Sequence, residues 1–368
     1  MASEGEPGLL LFSAPGAIDA MKQAGGDKDK DKGDKKGDGK PKVLKLCDVT
    51  DLCGFCGAGS CKFKCAKCHL VSYCSDQCQF RDITKHQPDC KSLEEQAHHR
   101  ALNEAFLRAC FTGILRLVKT MLEERGADAN YVGTDQYTPL IAASGGGHVP
   151  VVEALIAADS KVDYARREDG STALLVACEQ GHVDVVRILL RAGANPNQVL
   201  ANEGGTSALM LATVGGFVLI VNELISAGAN VNYARPSEGY TALFYACEEM
   251  NVPIIRSLLR AGAFPNLNLT DETAHSPLMQ ASSYGNAQSV DELISAGANV
   301  NYVRQFDGCT CLIIAAQNGF VDVVRSLLAA GADPRTADSD GDTPMSVALE
   351  CEHTEIVELL AQALGQSM

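Results

Sequence analysis

Residues 172–195 read TALLVACEQGHVDVVRILLRAGAN, and residues 310–333 read TCLIIAAQNGFVDVVRSLLAAGAD. Both stretches open on a threonine, Thr172 or Thr310, followed by a short apolar run. A threonine there suits a helix N-cap, because its side-chain oxygen can accept a hydrogen bond from a backbone N–H of the first turn. A break follows at Gly181-His182, and then Val183, Val186, Leu189 and Leu190 recur at the spacing that places apolar residues on one helical face. Gly193 closes the unit, as does Gly331 in the second copy, where the chain must leave the helix through left-handed backbone. Each stretch therefore predicts two short helices joined by a tight turn.

Working outward, aligned openings fall at Thr138, Thr172, Ser207, Thr241, Ser276, Thr310 and Thr343, spaced 34, 35, 34, 35, 34 and 33 residues. Thr138 is followed by Pro139, a residue pre-set for the first helical turn. Residues 102–130 fit an earlier unit without the Thr-Pro opening, and residues 343–364 a final one without its hairpin, so both ends read as caps. A single unit cannot bury its own apolar face, so neighbours must stack into a continuous core. Cys178 and Cys247 fall at small-residue core positions and read as packing, while His148 and His182 fall in the turn and read as structural.

These units, with runs such as Gly228-Ala229-Asn230, resemble the ankyrin repeat over essentially all of residues 101–366, giving about eight repeats. The resemblance implies a mostly α fold, an α-solenoid with β-hairpin edges, that recognises other proteins through variable surface residues on a common frame. Two finer patterns emerge from the alignment. Fifteen residues past the openings lie Glu153, Arg187, Asn222, Arg256, Asp291 and Arg325, acidic or polar alternating with basic, which predicts pairing between stacked helices. At a period of 69 residues, Tyr164-Ala165-Arg166 recurs as Tyr233-Ala234-Arg235 and Tyr302-Val303-Arg304 in the connecting segments. Tyrosine and arginine are enriched at protein interfaces, so Tyr164, Arg166, Tyr233, Arg235, Tyr302 and Arg304 are candidates to meet an acidic partner segment. Glu168, Asp169, Glu238 and Asp307 share the same loops and compete for those arginines.

The N-terminal part is built on another chemistry. Of the 15 cysteines in the chain, nine lie between Cys47 and Cys90. Cys53 and Cys56, Cys65 and Cys68, Cys74 and Cys78, and His86 and Cys90 form four pairs, each with a gap of two or three residues. Such gaps let both members of a pair face one metal, and seven thiolates with one imidazole match two closed tetrahedral zinc sites. Closed sites serve structure rather than catalysis, and a segment this short and polar should draw much of its folding free energy from the metal. The run Tyr73-Cys74-Ser75-Asp76-Gln77-Cys78-Gln79 with Asp82, His86 and Cys90 resembles the MYND-type zinc finger. The resemblance implies an interleaved ligand set, Cys53, Cys56, Cys74 and Cys78 on one zinc and Cys65, Cys68, His86 and Cys90 on the other. It also implies recognition of proline-rich peptides beside Ser75 and Gln79. The tryptophan that the family commonly carries before its histidine ligand is replaced by Ile83, which removes a large aromatic anchor.

Three segments follow: a Lys/Asp/Gly-rich tail at 1–46, a finger at 47–96 with its core at 53–90, and the array at 101–366. The tail can bury almost nothing, and its composition predicts disorder. The formal net charge is -15, and the acidic excess lies almost wholly beyond residue 100. A field of that sign repels phosphate backbones and anionic membranes, leaving proteins as the expected partners. Glu4 and Glu6 before the short apolar run at Leu9–Phe12 do not make a secretory leader, and the cysteines then read as reduced thiols or metal ligands. A cytoplasmic location is expected, with the nucleus as a second compartment. The function expected is a non-enzymatic adaptor or scaffold. The alternatives weighed are a transcription-corepressor or chromatin adaptor and a ubiquitin-ligase-like scaffold.

Overall fold

The computed structural model describes residues 63–64, 72–73, 96–201, 204–270 and 274–366. The expected tail at 1–46 and all eight expected zinc ligands lie outside the described residues. The chain divides into two units, Met1–Thr84 and Lys85–Met368. In the first, β1 (Phe63–Lys64) runs antiparallel to β2 (Ser72–Tyr73), with Phe63 opposite Tyr73 and Lys64 opposite Ser72.

The second unit is a run of paired helices. They are α1 (96–111) with α2 (Leu115–Glu123), α3 (Pro139–Gly145) with α4 (Val149–Ala157), α5 (Ala173–Glu179) with α6 (Val183–Arg191), and α7 (Ala208–Val214) with α8 (Val218–Ser226). Then come α9 (Ala242–Glu248) with α10 (Val252–Arg260), α11 (Pro277–Ser283) with α12 (Ala287–Ser295), α13 (Cys311–Gln317) with α14 (Val321–Ala329), and α15 (Pro344–Glu350) with α16 (Thr354–Gln366). First helices pack on first helices and second on second, so the core continues from one repeat to the next. The two terminal helices, α1 and α16, are longer than the interior ones they replace.

The capping predicted from the openings is present at every one. Thr138, Thr172, Ser207, Thr241, Ser276, Thr310 and Thr343 each accept, through the side-chain oxygen, the backbone N–H three residues on. These oxygens bind donors that a seven-residue helix could not otherwise satisfy. The core is aliphatic: Leu140, Ile141, Leu174, Leu175, Leu189 and Ile220 are all fully buried. Cys178 and Cys247 lie inside it with no exposure, and burial pushes both thiols well above the ordinary range. Their packing role follows from that environment.

The hairpin edges carry little sheet. Beyond β1 and β2, the described residues hold two isolated bridges, Val199 with Ser207 and Ala234 with Thr241. What joins neighbouring repeats along this side is instead a line of asparagines. Asn232 accepts the Phe264 N–H at 2.7 Å and donates to the Gly262 carbonyl at 2.9 Å, both in the following repeat. Asn130, Asn197, Asn266 and Asn301 make the same pair of bonds forward, because one primary amide offers both an acceptor and a donor. Asp163 occupies the matching position and, as an acceptor, takes only the Asn195 N–H at 3.0 Å. A second line of contacts runs through the turns, where the Nε2 atoms of His148, His182 and His353 lie 2.9, 3.0 and 3.1 Å from carbonyl oxygens of the preceding repeat. A carbonyl only accepts, so each ring is held as the Nε2–H tautomer.

Candidate interaction surfaces and metal centre

The three Tyr-x-Arg segments do share one side of the array, but their side chains turn inward. Tyr164, Tyr233 and Tyr302 pack half-buried against the core, and the Tyr302 hydroxyl donates to the Ala274 carbonyl at 3.1 Å. Arg166, with a side chain only 11% exposed, donates to Asp169 at 2.9 Å and stacks over the Tyr137 ring 4.2 Å away. Arg235 reaches Glu238 at 3.6 Å and donates to the Tyr245 hydroxyl at 2.8 Å. Arg304 engages Asp307 through two nitrogens and also meets His275. Its guanidinium holds the Asp307 carboxyl below the usual carboxylate range. Tyr137 and His275 each stand just before a repeat opening, so Arg166 and Arg304 fasten their loops to the preceding repeat. The arginines that sequence assigned to an acidic partner each pair with a carboxylate of their own loop.

The expected charge ladder is offset by one residue. Arg187 and Arg256 do pair with the following repeat, but their partners are Glu223 at 2.8 Å and Glu292 at 2.6 Å, not Asn222 and Asp291. One residue is a turn of about 100° on a helix, which swings Glu223 and Glu292 toward the preceding repeat. Arg325 reaches Glu355 at 3.3 Å, while Arg187 also holds Asp184 in its own helix at 2.9 Å.

Ser75, Gln79, Cys53, Cys56, Cys65, Cys68, Cys74, Cys78, His86 and Cys90 lie outside the described residues. In the sequence, Cys65 and Cys68 fall between the two strands and Cys74 directly follows the second. Among the described residues no three acidic, His or Cys side chains converge as metal ligands would. A cleft of about 210 Å³ between Asn197, Leu209, Asn230 and Tyr233 is smaller than the roughly 300–1,000 Å³ that hold small-molecule ligands. No helix of the described residues is long and apolar enough to cross a membrane.

A continuous stack of capped helix pairs, fastened from repeat to repeat, is a protein-binding solenoid in class. The chain belongs to the ankyrin-repeat family, whose profile matches it in three consecutive copies at residues 106–199, 198–271 and 278–368. A MYND finger profile matches residues 53–90, so a finger of a zinc-binding class precedes the array. Among curated proteins, the chain is similar to the E3 ubiquitin-protein ligase KEG of Arabidopsis thaliana, 30% identical over 34% of this chain and 8% of that protein. It is also similar to the human ankyrin repeat and SOCS box protein 3, 35% identical over 27% of this chain and 19% of that protein. The chain thus spans less than a fifth of either relative. Among solved structures, the human ASB11 ankyrin repeat domain superposes with a TM-score of 0.53 at 26% identity, covering 62% of this chain and 98% of that one.

Proposed function

We propose that this chain is a non-enzymatic adaptor that brings together one partner held by the finger and another held by the array. The observation that carries the reading is the presence of two protein-interaction modules on one chain, the finger at 53–90 and the array beyond it. Two zinc ions per chain, bound by the eight paired ligands, hold the finger in shape, and proline-rich peptides dock beside Ser75 and Gln79. Acidic segments at the hairpin edge have to displace Asp169, Glu238 and Asp307 from the three arginines, which makes that edge the costlier site. The adaptor works in the cytoplasm, with the nucleus as a second compartment. Its free thiols, five of the six described ones buried, support a reducing location.

The test is affinity capture with the full chain, with a Cys74→Ala chain, and with a chain carrying substitutions on the array. The adaptor reading expects two separable sets of partners, one lost with Cys74→Ala and the other retained. A single set that survives every substitution would refute it.

A further inference from the structure

Met250 stands where six other repeats carry glycine and the last carries Glu352. Gly113, Gly147, Gly181, Gly216, Gly285 and Gly319 take φ between 68° and 77°, Met250 takes φ 51° and Glu352 φ 60°. Left-handed backbone is costly for a residue with a side chain, and Met250 bears that cost in the interior of the array, whereas Glu352 bears it in the terminal repeat. No packing reason is visible, because the Met250 side chain is 46% exposed. Around it lie two further exposed apolar groups at the ends of the flanking first helices, Val214 at 49% and Tyr284 at 44%. Between them are Glu248, half-buried, and Glu249, exposed, and neither makes an ion pair with any described cation. Burial and the neighbouring Glu249 hold the Glu248 carboxyl above its ordinary range. Burial first, then the field of these two carboxylates, raises the Tyr284 phenol.

A half-buried carboxylate flanked by exposed apolar groups is complementary to a cation carried on an apolar stem. We propose that the ends of α7, α9 and α11 form a docking site for a partner segment that places a lysine or arginine between apolar residues. Glu248 and Glu249 receive the cation, the Tyr284 ring supports its stem or its charge, and Met250 and Val214 cover the flanking apolar side chains. Met250 is suited to this, since its unbranched thioether adapts to varied surfaces. Three adjacent first helices span roughly 20 Å, the reach of about six extended residues. The site rests on the reading of the array as a protein-binding module and adds the partner's chemistry.

The experiment selects 12-residue peptides from a random displayed library against the full chain and measures a synthetic consensus peptide by fluorescence anisotropy. The expected consensus holds a Lys or Arg with apolar neighbours. Its affinity should fall roughly tenfold in a Glu248→Gln, Glu249→Gln double variant, as the loss of a charged pair predicts. Met250→Gly separates this site from a structural role: relief of strain should raise the thermal midpoint while peptide affinity falls. Peptides that bind equally well to both variants, or an acidic consensus, would overturn the site and leave the adaptor reading standing. Failure to enrich any peptide counts against both.

Discussion

Replacing Asn232 isolates the strength of the asparagine line. Its amide makes two bonds into the next repeat, to the Phe264 N–H and the Gly262 carbonyl. A net hydrogen bond contributes about 0.5–1.5 kcal/mol, and these lie at exposed residues where water can stand in, so Asn232→Ala should cost about 1–2 kcal/mol. Asn232→Asp keeps the acceptor, loses the donor and sets a carboxylate beside a carbonyl oxygen. It recreates the chemistry of Asp163 and should cost about 0.5–1 kcal/mol. Urea unfolding followed by circular dichroism gives the order parent, Asp, Ala. Because a repeat array can unfold in parts, hydrogen exchange at the Phe264 amide supplies a local reading. That amide should lose protection in the Ala variant and keep most of it in the Asp variant. Equal costs for the two variants, or full Phe264 protection after Asn232→Ala, would show that the bonds merely accompany stacking.

Thiol alkylation of the folded chain should modify Cys351 well ahead of Cys110, Cys178, Cys247 and Cys311, because Cys351 alone of these is exposed and burial raises Cys110 and Cys311 to about 12. Mass mapping of the labelled peptides checks the order. The carboxyls of Glu248 and Asp307 act on stability with opposite signs. Asp307, held low by Arg304, contributes stability above its unfolded pKa that is lost as pH falls through its folded one, so Asp307→Asn should flatten the acid limb of the stability profile. Glu248, held high, costs stability as pH rises from its unfolded to its folded pKa, so Glu248→Gln should raise the melting midpoint at neutral pH. Elemental analysis should find two zinc ions per chain, and chelation or Cys74→Ala should leave the helical circular dichroism of the array intact. One zinc, or loss of helicity with the metal, contradicts this.

The repeat frame was legible because it is written in local chemistry. A hydroxyl at Thr172, an apolar period through Leu189 and a glycine at Gly193 state their own geometry, and the structure places the capping bond and φ 90° where they predict. What crosses between repeats was harder to read. Arg187 was aligned with Asn222, whereas its partner is Glu223, because the approach of stacked helices and not the numbering decides which face meets the guanidinium. The asparagine line left a signal in the spacing of Asn197, Asn232, Asn266 and Asn301, yet the Gly-Ala-Asn runs beside these residues served only to mark the repeat. For Arg166, composition cannot tell an interface donor from one engaged by Asp169 three residues away.

The hairpin loops are joined by two alternating kinds of junction. Arg166 and Arg304 clasp the repeat before them, whereas the next junction is a backbone bond, Ala201 N–H to the Asp169 carbonyl and Ser339 N–H to the Asp307 carbonyl, each at 2.8 Å. Thr270 N–H repeats that bond on the Glu238 carbonyl at 2.8 Å. The array therefore has a parity. Excising residues 207–275 rejoins unlike ends and preserves the alternation, while excising residues 207–240 removes the Arg235 loop and sets the two plain loops, those of Ala201 and Thr270, side by side with no arginine loop between them. Chains of this type can be lengthened or trimmed in steps of two repeats without redesign, and an odd step leaves one junction without its complement.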